Sequence, residues 1–262
     1  MTSTGIQSDK NGMVSVIARP SAAETAWAEE QSSTGRDVSL VLETDSNTKL
    51  AQKAYSALRS AITHLRLPPG KAYLEREIVQ SLGISRTPVR EALVRLEVEG
   101  WIRIMPRRGF SVSPIGQDEL RQIYDVVENL DGLAGRLAAS LVSDEQLAQL
   151  EALIEKQRNA LEADDLESWA EFDDQFHSRI VEFACNPRLS AIMDSQSDWI
   201  YRARLYTVSI RPKPTRSIEE HTAIVAAMRA SSVDATQSMM QTHRHRAREE
   251  ILEALLKLQA RT

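Results

Sequence analysis

Leu82-Gly83-Ile84-Ser85-Arg86-Thr87-Pro88-Val89-Arg90-Glu91-Ala92-Leu93 is the stretch that decides the fold. It has the pattern of a helix-turn-helix: a sharp turn and then a reading helix. Gly83 can take the positive φ that such a turn needs. Ser85 or Thr87 can cap a helix whose first turn tolerates Pro88. Val89, Ala92, Leu93 and Leu96 recur at helical spacing and predict one buried face. Arg86 and Arg90, four apart, share the opposite face, where guanidinium groups can reach phosphates or guanine edges.

The flanks predict a winged helix. Leu50, Ala54, Tyr55, Leu58, Ile62 and Leu65 mark an amphipathic first helix, stopped by Pro68-Pro69-Gly70. Glu75 to Leu82 is a short second helix leading into the turn. After Gly100, Trp101-Ile102-Arg103-Ile104 and Phe110-Ser111-Val112 read as strands around Met105-Pro106-Arg107-Arg108-Gly109, a hairpin with a basic tip. The ordered set of turn, cap, arginine pair and wing resembles the DNA-binding domain of GntR-family transcriptional regulators. That resemblance implies Arg76, Arg86 and Arg90 on the major-groove side with Ser85 and Thr87 nearby. It puts Arg107, Arg108 and Gly109 at the wing and minor groove.

Charge points the same way without the family. Between Lys49 and Ser113, 12 Lys and Arg face 5 Asp and Glu, a net of +7 within a chain of net −5. A basic module on an acidic remainder is the footprint of nucleic-acid contact confined to one domain. With 42% hydrophobic and 26% charged residues, the 262-residue chain has a soluble composition with room for two domains and a tail. No apolar run approaches a membrane span, and no signal core is expected because Val14 to Ala18 is too short. Cys185 is the single cysteine, so no internal disulfide forms and a cytoplasmic location is expected. Beside Asn186-Pro187, it reads as a small packed hydrophobe. Residues 1–48, rich in Ser, Thr, Ala and Gln without sustained periodicity, are expected to be a weakly ordered arm, with Val38–Leu42 its one candidate ordered piece.

From Gln117 onward the pattern is helical throughout and predicts six helices. Leu120, Ile123, Tyr124, Val127, Leu130, Ala134, Leu137 and Leu141 mark the first. The second follows the cap-like Ser143-Asp144-Glu145. A third runs from about Asp165 to Ala184, ended by Asn186-Pro187. The fourth runs from Arg188 to about Val208, the fifth from Ile218 to Arg229 and the sixth from Val233 to Gln259. The expected fold is therefore mainly α, a winged helix-turn-helix domain over 49–113 followed by an antiparallel six-helix bundle over 117–260.

Four of the five histidines fall in that bundle: His177, His221, His243 and His245. Asp173 and His177, four apart, share a helix face, as a two-ligand chelate requires. Three imidazoles and a carboxylate suit Zn²⁺, Ni²⁺ or Mn²⁺. Spacing alone favours the plainer reading, a set of unrelated histidines satisfied by hydrogen bonds, because an Asp-x₃-His pair often occurs by accident. Asp173-Asp174-Gln175-Phe176-His177, Asn186-Pro187, Glu220-His221 and Met240-Gln241-Thr242-His243 together resemble the FCD effector domain of the FadR subfamily, over about residues 118–258. The resemblance implies one divalent metal, expected to be Zn²⁺, on Asp173, His177, His221 and His243. The 22-residue step from His221 favours His243 over His245.

One departure stands out. Where the family often carries Arg and then Glu four residues later in the first helix of this domain, this chain has Val127 and Asp131. Arg202, Arg204 and Arg216 are the substitute effector anchors to consider. The combined expectation is a homodimeric repressor released from a two-fold operator by a small carboxylate bound at the metal. The alternatives are a metal-dependent hydrolase built on the bundle and a regulator whose metal is purely structural.

Overall fold

The computed structural model describes residues 50–260, so the arm expected over 1–48 lies outside the described residues. Helix α1 (Leu50–Thr63) buries Ala54, Leu58, Ala61 and Ile62. It ends before the Pro-Pro-Gly segment, with Leu65 already at φ 57°. Helix α2 (Glu75–Leu82) is held at its start by the Glu77 carboxylate, which accepts from the Leu74 backbone N–H at 2.8 Å. Gly83 then takes the left-handed conformation (φ 65°), and its N–H donates to the Val79 carbonyl. This turn releases the chain into α3 (Arg86–Val98), which buries Val89, Ala92, Leu93 and Leu96.

The wing is a three-stranded antiparallel sheet in the order β1-β3-β2. Strands β2 (Ile102–Met105) and β3 (Gly109–Val112) form the expected hairpin, with Ile102 opposite Val112 and Met105 opposite Gly109. Strand β1 (Ala72–Tyr73) was not expected; two residues carry no periodicity to read. It explains Gly109, since a Cβ there would lie 2.0 Å from the Tyr73 carbonyl oxygen. Trp101 and Phe110 close the core of this domain, both essentially without exposure.

Six helices follow: α4 (Gln117–Ala139), α5 (Asp144–Glu162), α6 (Leu166–Phe183), α7 (Pro187–Thr207), α8 (Thr215–Arg229) and α9 (Val233–Gln259). Their ends follow local chemistry. Ser143 and Gln146 form a reciprocal capping box on α5, Asp165 accepts from Ser168 N–H on α6, and Asn186 caps α7 ahead of Pro187 at its first turn. A 3-10 turn over Val208–Ile210 extends α7, and α8 begins three residues before Ile218. The one apolar core of the bundle includes Tyr124, Leu150, Trp169, Phe176, Ile224 and Ile251.

Helix α7 joins the bundle to the winged domain. Trp199 stacks flat on Trp101, with centroids 3.7 Å apart and planes 8° from parallel. Asp198 accepts from Arg59 Nε at 2.6 Å, and Arg202 Nη2 donates to the Ser113 carbonyl at 2.6 Å.

Candidate DNA-binding face and candidate metal centre

On the winged domain, an open groove between α3 and the wing is lined by Arg76, Arg86, Arg90 and Arg107, with Met105 and Gly109 on its wing side. Ser85, Arg86, Thr87, Arg90, Arg107 and Arg108 are all exposed. Arg90 is the tethered member, its Nε 2.8 Å from the Glu75 carboxylate. Arg107 sits at φ 65° in the hairpin turn, which turns the basic tip outward. Exposed guanidinium groups along the groove and a basic wing give the electrostatic requirements of a duplex-reading head.

In the bundle, Asp173 and His177 on α6, His221 on α8 and His243 on α9 come together, all buried, with one ligand atom of each within 4.8 Å of the others. His221 Nε2 lies 3.3 Å from His243 Nε2, which is 3.2 Å from His177 Nε2. The carboxylate oxygens of Asp173 are 3.7 Å from His221 Nε2 and 3.9 Å from His177 Nε2.

Neighbours fix which ring nitrogens carry protons. Gln157 donates through Nε2 to the Phe172 carbonyl at 3.3 Å, which turns its Oε1 toward His221 Nδ1 at 3.0 Å. The Glu220 carboxylate accepts from His243 Nδ1 at 2.7 Å. These acceptors favour the proton on Nδ1 of both rings, which leaves their two Nε2 lone pairs facing each other among buried side chains. That arrangement is repulsive unless a cation, or a proton from His177 Nε2 at 3.2 Å from His243 Nε2, stands between them. Nitrogens about 3.3 Å apart are also what a tetrahedral Zn²⁺ with bonds near 2.05 Å requires. The residues fit a divalent metal.

Electrostatics favour the ligating states. Burial pushes all three imidazoles below their ordinary value, His177 and His221 well below, so they are neutral. Burial works to raise the Asp173 carboxyl, but the Arg204 guanidinium at 2.9 Å, with Arg244 behind it, outweighs burial and keeps it ionised. Burial likewise acts on Glu220, yet hydrogen bonds from His243 and Arg246 hold it down to about 2. Beside the cluster is a cavity of about 40 Å³ lined by Val127, Asp174, His177, Val181, Ile200 and Arg244, among others. Burial pushes the Asp174 carboxyl up to about 6 against the pull of Arg204.

The three arginines considered as effector anchors separate. Arg204 is buried against Asp173, at the cluster. Arg202 lies under Trp101 at the domain junction, its guanidinium 5.8 Å from that ring, and does not line the cavity beside the cluster. Arg216 is exposed on α8 and paired with Glu220 at 3.1 Å. His245 points elsewhere, exposed beside Glu128. Sequence reasoning missed Gln157 and Arg244. Arg244 follows ligand candidate His243 and pairs with the wholly buried Asp131, so the departure at Val127 and Asp131 was the available signal.

A winged helix-turn-helix head joined to an all-helical bundle with a buried His₃Asp cluster defines a class of ligand-sensing transcription factors. The model of the bacterial regulatory proteins, gntR family, matches residues 50–112, and that of the FCD domain matches residues 122–246. The HTH-type transcriptional repressor RspR of Escherichia coli (strain K12) is 29% identical over 192 residues, 73% of this chain and 84% of that protein. An HTH-type transcriptional regulator in the TAR-I ttuE-ttuC' intergenic region of Agrobacterium vitis is 39% identical over 134 residues, 50% of this chain and 78% of that protein. The solved structure of E. coli McbR/YncC superposes with a TM-score of 0.67 at 25% identity, covering 76% of this chain and 95% of that one. The chain belongs to the gntR family of regulatory proteins and carries an FCD domain. It is a DNA-binding transcriptional regulator, not an enzyme, which removes the hydrolase alternative.

Proposed function

We propose that the protein is a cytoplasmic, homodimeric repressor of the FadR branch, released from a two-fold operator by a small carboxylate bound at a metal centre. The observation that carries the metal is the approach of His221 Nε2 and His243 Nε2 to 3.3 Å while Gln157 and Glu220 occupy the two Nδ1 atoms. Asp173, His177, His221 and His243 would hold the ion, Zn²⁺ in this reading, with Ni²⁺ or Mn²⁺ as the other fits to a nitrogen-rich donor set. When bound, the ion supplies an open coordination position for an anionic ligand.

Residues 49–113 form the head and 117–260 the effector and dimerisation part. Arg86 and Arg90 would read bases, supported by Arg76, Ser85 and Thr87, while Arg107, Arg108 and Gly109 approach the minor groove. Repression is supported by the RspR relative, whose name describes a repressor. Helix α7 offers the path between sites. One face gives Ile200 and Ser197 to the cavity, and the other gives Asp198, Trp199 and Arg202 to the head. A ligand that binds two settings of this helix unequally shifts the DNA-competent population by that difference.

Metal analysis by mass spectrometry, paired with operator titrations, tests the reading on wild type, His221→Ala and His245→Ala. His221→Ala is expected to lose its metal yet still bind operator, and His245→Ala to keep both. Equal metal content in wild type and His221→Ala would remove the metal centre.

A further inference from the structure

A single carboxylate stands in the groove between α3 and the wing. Among the described residues that line it, Arg76, Arg86, Arg90 and Arg107 carry positive charge and Glu75 alone carries negative charge. A fixed negative charge there repels every phosphate that enters, so it works against affinity for any duplex. Glu75 is the first residue of α2, yet it does not cap that helix, because Glu77 accepts from the Leu74 backbone N–H at 2.8 Å. Nor is it a buried structural tie. Arg90, its partner, is 67% exposed, and an ion pair in water adds little to stability.

What the pair does is geometric. Arg90 Nε donates to both carboxylate oxygens of Glu75, at 3.0 Å to Oε1 and 2.8 Å to Oε2. Both hydrogen bonds of Arg90 among the described residues therefore run through its inner nitrogen. The outer nitrogens, Nη1 and Nη2, form an end-on fork that matches O6 and N7 of guanine in the major groove. An untethered arginine on its long stem reaches phosphates as readily as bases, and phosphate contacts carry no direct sequence information. The tether from α2 removes that freedom from the one arginine midway along the exposed face of α3.

We propose that Glu75 is a specificity-determining residue of the DNA-binding head: it holds the Arg90 guanidinium end-on to one guanine of the operator half-site and keeps it off the phosphate backbone. The assignment rests on the reading of Arg90 as a base contact. Adenine carries an N6 amino donor where guanine carries the O6 acceptor, so it meets the fixed fork donor against donor. A tethered Arg90 cannot escape that clash by swinging to a phosphate. The head thus binds all DNA less tightly and gains discrimination at one base pair, since specificity is a difference of affinities.

Selection of bound duplexes from a pool with a randomised core tests this, using the full-length wild type, Arg90→Ala, Glu75→Ala, Glu75→Gln and Glu91→Gln. Salt titrations on a duplex of scrambled sequence accompany it, and melting checks that each variant is folded. Arg90→Ala marks the base pair that Arg90 reads. Glu75→Ala is expected to lose the guanine preference at that same base pair. It should also bind the scrambled duplex about threefold more tightly, and its slope of log affinity against log salt should steepen by about 0.9, the value of one added phosphate contact. Glu75→Gln keeps the shape and one acceptor, and should move in the same direction to a smaller extent. Glu91→Gln removes an exposed acid of α3 that does not line the groove, and is expected to keep the wild-type sequence. Retention of the guanine preference by Glu75→Ala, or an unchanged salt slope, would overturn the proposal. So would loss of the same preference in Glu91→Gln, or a loss in Glu75→Ala at a base pair that Arg90→Ala leaves intact. If Arg90→Ala selects the wild-type sequence, the reading of Arg90 as a base contact falls together with the proposal. If Arg90→Ala alone loses the guanine, that reading stands and only the role of Glu75 falls.

Discussion

Gln157→Leu tests whether the cluster is tuned from outside its ligands. Gln157 is fully buried and makes two hydrogen bonds: Nε2 to the Phe172 carbonyl and Oε1 to His221 Nδ1. The first costs little to lose, because a carbonyl within α6 keeps its helical partner. The second sets the tautomer. With leucine in place, His221 can move its proton to Nε2 and donate to His243 when no metal is present. Metal binding then forces the proton back to Nδ1, where leucine offers no acceptor to a fully buried ring. Stranding one buried donor costs about 1–3 kcal/mol, the same range as the 10- to 100-fold loss typical of outer partners of metal-bound histidines. Zn²⁺ affinity measured by chelator competition at pH 7.5 should fall by roughly that factor, while Gln157→Glu, which keeps an acceptor, should lose far less. A change below about threefold in the leucine variant would refute the tautomer argument.

Arg86→Ala and Arg90→Ala should each weaken operator binding by about 1–3 kcal/mol and relax base preference without changing the melting temperature; an unchanged affinity and salt slope in the double variant would acquit this helix. For the metal-free protein, the sign of the pH dependence follows from three histidines held below their unfolded value of 6.5. Below about pH 6.5 the unfolded chain takes up protons that the folded chain refuses, so stability falls as pH falls, by at most about 1.4 kcal/mol per pH unit for each histidine. Melting in chelator at pH 7.5 and 5.5 checks this, and a flat profile would contradict the burial. Trp199→Ala removes a parallel stack on Trp101 worth about 0.5–1.5 kcal/mol beyond its buried area. The metal content should hold while the operator affinity becomes less responsive to the carboxylate effector, and an undiminished response would rule out α7 as the path.

The pairings above explain what the sequence disclosed and what it withheld. The helices of the bundle were legible because each buries an apolar stripe at helical spacing and three of them begin at a capping side chain, Ser143, Asp165 or Asn186. The wing hairpin was legible because Gly109 and the flanking apolar residues mark it. Strand β1 was not, since its two residues are fixed by pairing with Phe110 and Ser111 rather than by their own pattern. His177, His221 and His243 were separable from His245 through spacing tied to a family pattern, and in the structure only the first three meet.

Arginine is where sequence reasoning stopped, and the reason is physical. A guanidinium on a long flexible stem takes its role from whatever carboxylate or ring meets it across the fold, and that partner is far away in the chain. Arg202 and Arg204 are neighbours on one helix, yet one finds Ser113 and Trp101 while the other finds Asp173. Burial with only distant carboxylates pushes the Arg202 guanidinium down to about 10, whereas Arg244, equally enclosed, is held up by Asp131. Helical position could not have distinguished them, because both α7 and α9 are wrapped by neighbours on more than one side. The usable signal lay in a carboxylate. Asp131 is wholly buried, and a buried charge demands a cation. With Val127 one turn away unable to supply it, the cation had to arrive from another helix, and Arg244 on α9 is where the structure provides it.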